Sequence, residues 1–229
     1  MSAQWLNLVS TMALCFLAWG LFHAVFHRKG IGFLQNFSWT TGYFLAVLGI
    51  ICIVFWRQIA VVAYPVAWTP LIMLALFVLC QLAWCYYLRK NFKEPREYLQ
   101  NYPNRYYLEV GWRRLISKSA DIAAQQAFII VLVVTLQGMG LAIYQVIAAF
   151  LVLFGLLHVP LVVIEWGRWP SWLFAGAVLA FSLAFPLLVL FVPYGFVYAY
   201  MLHWLFYMAT ASIFWWHHSR FMPRLAQRI

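Results

Sequence analysis

The sequence predicts an all-α polytopic membrane protein with about seven transmembrane helices in a single domain over residues 1–229. The chain is 66% hydrophobic and 9% charged, whereas soluble proteins average about 25% charged residues. Apolar stretches of roughly 20 residues, the length that an α-helix needs to cross a bilayer, recur along the whole chain. These observations exclude a soluble protein, so the net charge of +10 indicates membrane topology and not nucleic-acid binding.

The predicted spans are separated by turns that contain glycine, proline or charged residues. We expect the first span to be a retained helix, because residues 1–4 lack the Lys or Arg that opens a signal peptide. The four cysteines all fall in apolar stretches and are interpreted as small core residues. The seven spans are predicted at residues 5–26, 39–56, 67–88, 121–139, 141–164, 171–192 and 194–216.

The distribution of Lys and Arg predicts how the chain is oriented. If the amino terminus lies outside, all of the 15 basic residues except Arg57 fall on the inner loops and the carboxyl-terminal tail. Inner loops of membrane proteins carry this excess of positive charge. We therefore expect an integral membrane protein with its amino terminus outside and its carboxyl terminus in the cytoplasm.

Residues 89–119 form the longest polar segment and interleave cations with tyrosine and tryptophan. Aromatic rings of this kind lie at headgroup depth, while the cations contact anionic lipid. We predict a basic, solvated cytoplasmic loop that includes an interfacial helix and binds anionic lipid. A docking surface for a protein partner is the alternative.

Three pairs of residues inside the apolar stretches define a candidate site. Each pair is spaced i,i+4, so its members share one face of a helix. Polar side chains in a membrane usually face the interior of a bundle or a water-filled cavity. The pairs are Asp121 and Gln125, with Gln126 beside them, Phe154 and His158, and His203 and Tyr207.

The predicted span boundaries place these pairs at unequal depths. Asp121, Gln125 and His158 are expected roughly 5–10 Å below the inner interface. His203 is expected about 20 Å from the inner end of its span. A shared site therefore requires that the seventh helix be tilted or begin further out.

Three short motifs resemble those of the CAAX-protease and bacteriocin-processing (CPBP) family of glutamic intramembrane proteases. Residues 153–160 resemble its FxxxH motif, and residues 201–207 resemble its later HxxxN-type motif. Residues 123–128 stand where its EExxxR motif is expected. Their order and separations are also similar to the family's, and the resemblance covers residues 118–216.

In that family, paired glutamates and two histidines activate water to attack a peptide bond within the membrane, while histidine and asparagine bind the oxyanion. The resemblance implies a CPBP-like bundle that opens toward the cytoplasm, in a bacterial inner membrane, and a membrane-embedded peptide or protein as substrate or partner. We expect no cofactor and no bound metal. It assigns the catalytic positions to Gln125, Gln126, His158, His203 and Tyr207, with Asp121 nearby, and substrate contacts to Phe154 and Phe128.

The sequence departs from the family at the catalytic base, because glutamines replace the two glutamates and an amide has no titratable carboxylate. The motif's arginine falls on Ile129 or Ile130, and its asparagine on Tyr207. The chain can be a non-catalytic relative that binds membrane peptides, proteins or lipid. Alternatively, Asp121 supplies the carboxylate of an active intramembrane endopeptidase, or the glutamines were introduced to inactivate one.

Other interpretations of the same residues stay open. Two histidines on different helices are also what a bis-imidazole haem or a metal site needs. Intramembrane Asp and His can pass protons in a proton-coupled transporter. The glutamines can serve simply to bond neighbouring helices, and Asp121 can cap the first turn of its own helix.

Overall fold

The computed structural model describes residues 3–26, 33, 36–65, 67–95, 99, 108–164 and 169–221, and this part of the chain contains helices but no strand. A π-helical turn, Phe22–Phe26, continues the first helix. The helices are α1 (Ala3–Leu21), α2 (Phe37–Val54), α3 (Trp56–Val61), α4 (Trp68–Asn91), α5 (Trp112–Gly138), α6 (Ile143–Ile164), α7 (Trp169–Phe191) and α8 (Gly195–Phe221).

Five of the described helices, α1, α2, α4, α5 and α8, are long and apolar enough to cross a membrane. The α6 and α7 helices are 22 and 23 residues long. Their described apolar stretches are shorter, Ile143–Val159 and Ala175–Phe191. The predicted class, an all-α polytopic membrane protein, is confirmed.

Exposed aromatic residues mark both ends of α4. Trp68 at its first residue is 80% exposed, and Tyr86 near its end is 67% exposed. They are separated by about 27 Å at 1.5 Å per residue, close to the roughly 30 Å of a bilayer's hydrocarbon. Tryptophan and tyrosine concentrate at the two membrane interfaces, so this spacing fits a helix that crosses the bilayer.

The α5 helix is the centre of the bundle and contacts every other described helix. Inside the fold, 78% of its apolar window is buried, compared with 22% for each of α1, α2 and α4. One apolar cluster joins α5 to α1, α2, α6, α7 and, through Ala199, α8. A second joins α5 to α4, α8 and residues 108–110. The two sides of α5 therefore share α8 and otherwise face different neighbours.

The amino-terminal end of α5 differs from the prediction, because the helix begins at Trp112 and not at residue 121. Asp121 consequently lies inside the helix, and its interpretation as a cap of the first turn is wrong. The segment before the helix is also buried, since the Trp215 indole donates a hydrogen bond to the Leu108 carbonyl at 2.8 Å. This contact fixes the start of α5 against α8.

Two cations that we expected in a solvated loop are buried in the bundle. Arg114 and Lys118 are each 1% exposed, so the expectation is wrong for both. Lys118 can be buried because Asp121 neutralises it one turn further along the helix. Residues 96–98 and 100–107 of the predicted basic loop lie outside the described residues.

The α8 helix also extends past its predicted end at residue 216. It continues to Phe221, so that His217, His218 and Arg220 lie on its last turns. The predicted irregular connection after the second span contains the short helix α3. Both differences extend helical structure into segments whose polar or proline-containing sequence predicted loops.

Candidate functional site

Asp121 is the centre of a fully paired group of residues between α5 and α1. Its Oδ2 accepts a hydrogen bond from the Lys118 ammonium at 2.6 Å. Its Oδ1 accepts from the Gln125 amide at 2.8 Å and from the Trp19 indole at 3.0 Å. We call these four residues the ion-pair cluster. A buried charge is stabilised when both an opposite charge and hydrogen bonds satisfy it, and Asp121 has both.

Aromatic rings complete the surroundings of Lys118. Its Nζ lies 4.2 Å from the centroid of the Tyr207 ring and 5.3 Å from that of Phe33. A cation over the face of an aromatic ring is attracted electrostatically, and more strongly where water is excluded. Tyr207, on α8, therefore helps to hold the ammonium of the ion-pair cluster.

A second polar group lies on the α8 side of α5. The Gln126 Nε2 is 3.1 Å from the His203 Nδ1, and the two residues are 4% and 3% exposed. The Gln126 Oε1 is buried and has no hydrogen-bond partner among the described residues. We call Gln126, His203 and the nearby His158 the amide–imidazole cluster.

The two adjacent glutamines do not act together. Successive side chains on an α-helix point about 100° apart. Gln125 accordingly reaches Asp121 on the α1 side, whereas Gln126 reaches His203 on α8. The two predicted glutamines therefore belong to different clusters, and only Gln126 of the two contacts a histidine.

His158 is held by its own helix in a defined tautomer. Its Nδ1 lies 2.8 Å from the Phe154 carbonyl oxygen. Because a carbonyl only accepts hydrogen bonds, Nδ1 carries the proton, and Nε2 of the neutral ring is left as an acceptor. Two phenylalanine rings connect His158 to His203: the Phe154 ring lies 4.3 Å from the His158 ring and 6.1 Å from the Phe185 ring, which lies 5.8 Å from the His203 ring.

Three aromatic rings surround His203. The centroids of Phe181 and Phe185 are each 5.8 Å from its ring, and Tyr207 stacks on it at 5.5 Å. Within this packing His203 is 3% exposed. Within the described residues, no group of three or more His, Cys, Asp or Glu side chains is arranged to bind a metal ion.

The two predicted substrate contacts are core residues in this structure. Phe128 is 4% exposed, and its ring lies 6.3 Å from that of Trp19, on the side of the ion-pair cluster. Phe154 is also 4% exposed and stacks on Phe150 at 5.1 Å. Only Phe154 adjoins a site histidine, since its ring is 4.3 Å from that of His158.

The structure thus brings Gln126, His203 and Tyr207 into contact, connects His158 to them through the Phe154 and Phe185 rings, and directs Gln125 to Asp121. The contact between Gln126 and His203 resolves the predicted difference in depth, because α5 starts earlier and Gln126 lies about 21 Å from Trp112 along the axis. Sequence reasoning missed Lys118, whose i,i+3 spacing from Asp121 was a usable signal. Trp19 gave no such signal.

Comparison with known proteins finds no family model, no curated protein and no solved structure that matches this chain. Membership of the CPBP family therefore stays a prediction that rests on the three short motifs.

Proposed function

We propose that this integral membrane protein binds a membrane-embedded peptide or protein segment at the amide–imidazole cluster and does not cleave it. The observation that supports this function is the buried Gln126 carbonyl, which has no partner among the described residues. An unpaired polar atom in an apolar surrounding is costly. A ligand that donates a hydrogen bond to it would therefore gain binding free energy.

The hydrogen-bonding groups of this cluster match those of a peptide backbone. If the Gln126 amide donates to Nδ1 of His203, the neutral imidazole carries its proton on Nε2 and can donate. The Gln126 Oε1 and the His158 Nε2 can accept. A peptide unit offers one N–H and one C=O, and these need partners wherever a membrane segment is unwound. In the opposite orientation of the amide, its NH2 group would be unpaired, and a peptide carbonyl could accept a hydrogen bond from it.

Binding without cleavage follows from where the carboxylate lies. A CPBP-like reaction needs a carboxylate beside the histidines to take a proton from water. Gln126 occupies that position and cannot do so. Asp121, the alternative base, already accepts hydrogen bonds from Lys118, Gln125 and Trp19.

A binding assay with designed peptides tests this function. We would use two fluorescent 21-residue Leu/Ala peptides, one with a central Gly-Pro break, and measure energy transfer to labelled protein in nanodiscs. We expect the broken peptide to bind more tightly and to remain intact by mass spectrometry. Gln126→Leu should weaken its binding about tenfold, equivalent to about 1.4 kcal/mol.

The matched control is Gln58→Leu, the same replacement on α3. It should leave binding unchanged. Equal binding by wild type and Gln126→Leu would contradict the binding function. Cleavage products would instead favour the intramembrane endopeptidase.

For the membrane and the orientation, we propose the bacterial inner membrane with the amino terminus outside. The basic ends of α4 and α8 and the start of α5, which carries Arg113, support this orientation through the positive-inside rule. Reporter fusions after residue 62 and after residue 221 test it. An external signal from the first fusion and a cytoplasmic signal from the second are expected, and the reverse pattern would contradict the orientation.

A further inference from the structure

We propose that the corner of the bundle where α4 and α8 end binds the headgroup of an anionic phospholipid. This basic corner consists of Arg89, Lys90, Lys93 and Arg220. A hydrogen bond joins the two helix ends, because the Lys93 backbone N–H donates to the Ser219 hydroxyl at 3.0 Å. All four cationic side chains are exposed.

Each helix pairs a cation of the corner with an exposed aromatic ring one turn earlier. The Lys90 ammonium lies 5.6 Å from the Tyr86 ring centroid, and the Arg220 guanidinium lies 5.4 Å from that of Trp216. Tyr86 is 67% exposed and Trp216 is 43% exposed. Rings at the interface with cations just beyond them are suited to a phosphate at headgroup depth.

The charge around the corner favours an anion. Neither α4 nor α8 contains an Asp or Glu. Glu94, next to Lys93, is the acidic residue of the segment 89–95, so the corner keeps a net positive charge. Arginine and lysine form charge-assisted hydrogen bonds with phosphate oxygens.

The surface next to the corner favours a lipid over a soluble phosphate. Leu82 and Leu79 lie one and two turns before Tyr86 on the same face of α4, and they are 46% and 60% exposed. An acyl chain can lie along this apolar stripe while its headgroup meets Lys90. A soluble phosphate would use the cations alone.

The opposite end of the bundle supplies a matched control. Arg57 also lies over a tryptophan, with its guanidinium 5.8 Å from the Trp56 ring. Between residues 30 and 88 it is the sole basic residue. It therefore has the cation and the ring without the neighbouring cations.

Native mass spectrometry of the detergent-purified chain tests this inference, which does not depend on the proposed function. We would titrate phosphatidylglycerol against phosphatidylcholine. Wild type and Arg57→Gln should retain phosphatidylglycerol preferentially. Lys90→Gln with Arg220→Gln should weaken that binding about tenfold, and the charge-preserving pair Lys90→Arg with Arg220→Lys should restore it.

Three results would overturn the inference. These are equal retention of the two lipids by wild type, an equal loss of phosphatidylglycerol in Arg57→Gln, and displacement of the lipid by glycerol phosphate at a similar concentration. The last result would identify a site for soluble phosphate. A thermal unfolding measurement without lipid shows whether each variant is folded before its lipid binding is compared.

Discussion

The two sides of α5 bury polar groups to the same extent but satisfy them differently. Asp121 on the α1 side is 2% exposed and accepts three hydrogen bonds, one of them from a cation. Gln126 on the α8 side is 4% exposed and leaves its carbonyl without a partner among the described residues. Complete pairing stabilises helix packing, whereas an incomplete pairing is the feature that a ligand can use. This difference is why we propose a structural role for the ion-pair cluster and a binding role for the amide–imidazole cluster.

The largest expected effect comes from removing the charge of Asp121. Asp121→Asn removes the carboxylate that pairs with the buried Lys118 ammonium, and we expect it to lower the free energy of unfolding by about 3–5 kcal/mol. Thermal unfolding in detergent would measure the loss. Replacing both partners, as Lys118→Met with Asp121→Leu, should recover most of the stability. A single variant as stable as wild type would contradict the structural role of this cluster.

The adjacent glutamines allow the same substitution on both sides of α5. Gln125→Glu replaces a donor 2.8 Å from Asp121 with a second acceptor, and we expect a loss of about 1.5–3 kcal/mol. Gln126→Glu instead places a carboxylic acid beside the His203 imidazole. The two groups can share a proton in a hydrogen bond, so we expect a smaller loss of stability than for Gln125→Glu. Equal unfolding temperatures for the two variants would argue against the division into two clusters.

Gln126→Glu also sharpens the question of catalysis. If an otherwise intact protease site were present, this variant, alone or with Gln125→Glu, should cleave a membrane peptide. Mass spectrometry of the designed peptides would detect the products. Continued absence of cleavage would favour binding.

A smaller effect is expected from removing the hydrogen bond that Trp19 of α1 donates to Asp121. Trp19→Phe removes the indole N–H that donates to Asp121 and keeps an aromatic ring near Phe44 and Phe128. We expect a loss of about 1.5 kcal/mol, typical of a hydrogen bond to a charged group. Trp5→Phe, at a position on the same helix that is 55% exposed, is the control and should change the unfolding temperature little.

The smallest effect concerns a carboxylate outside the membrane-spanning segments. Burial raises the pKa of Glu109 above its ordinary value of 4.5, the Arg114 guanidinium opposes this shift, and Glu94 adds to it. Because the pKa of Glu109 is raised in the folded state, its contribution to the free energy of unfolding is present below pH 4.5 and is lost as pH rises through the folded-state pKa. In Glu109→Gln, the free energy of unfolding should fall less between pH 4.5 and that folded-state pKa. Unfolding measured at several pH values tests this. An unchanged pH profile would contradict this assignment.

The fold was largely predictable because the length of an apolar span is a local property of the sequence. The start of α5 was not predictable, because the sequence around Arg113, Arg114 and Lys118 is typical of a solvated segment. The burial of Arg114 and Lys118 depends on tertiary partners. Helical spacing places Gln125 and Gln126 about 100° apart, but which neighbour each one meets is decided by packing. The bond from Trp19 to Asp121 joins residues 102 positions apart, and no local pattern reports it.

The polar residues of α5 also bear on how the protein is assembled in the membrane. Asp and Lys each add about 2.5–3.5 kcal/mol to the apparent cost of inserting an isolated helix when they lie near its centre. The α1 and α2 helices precede α5 in the chain and contact it, and α1 supplies the indole that bonds Asp121. We therefore expect α5 to enter the bilayer alongside helices that are already inserted, so that a chain lacking α1 would integrate α5 poorly during synthesis.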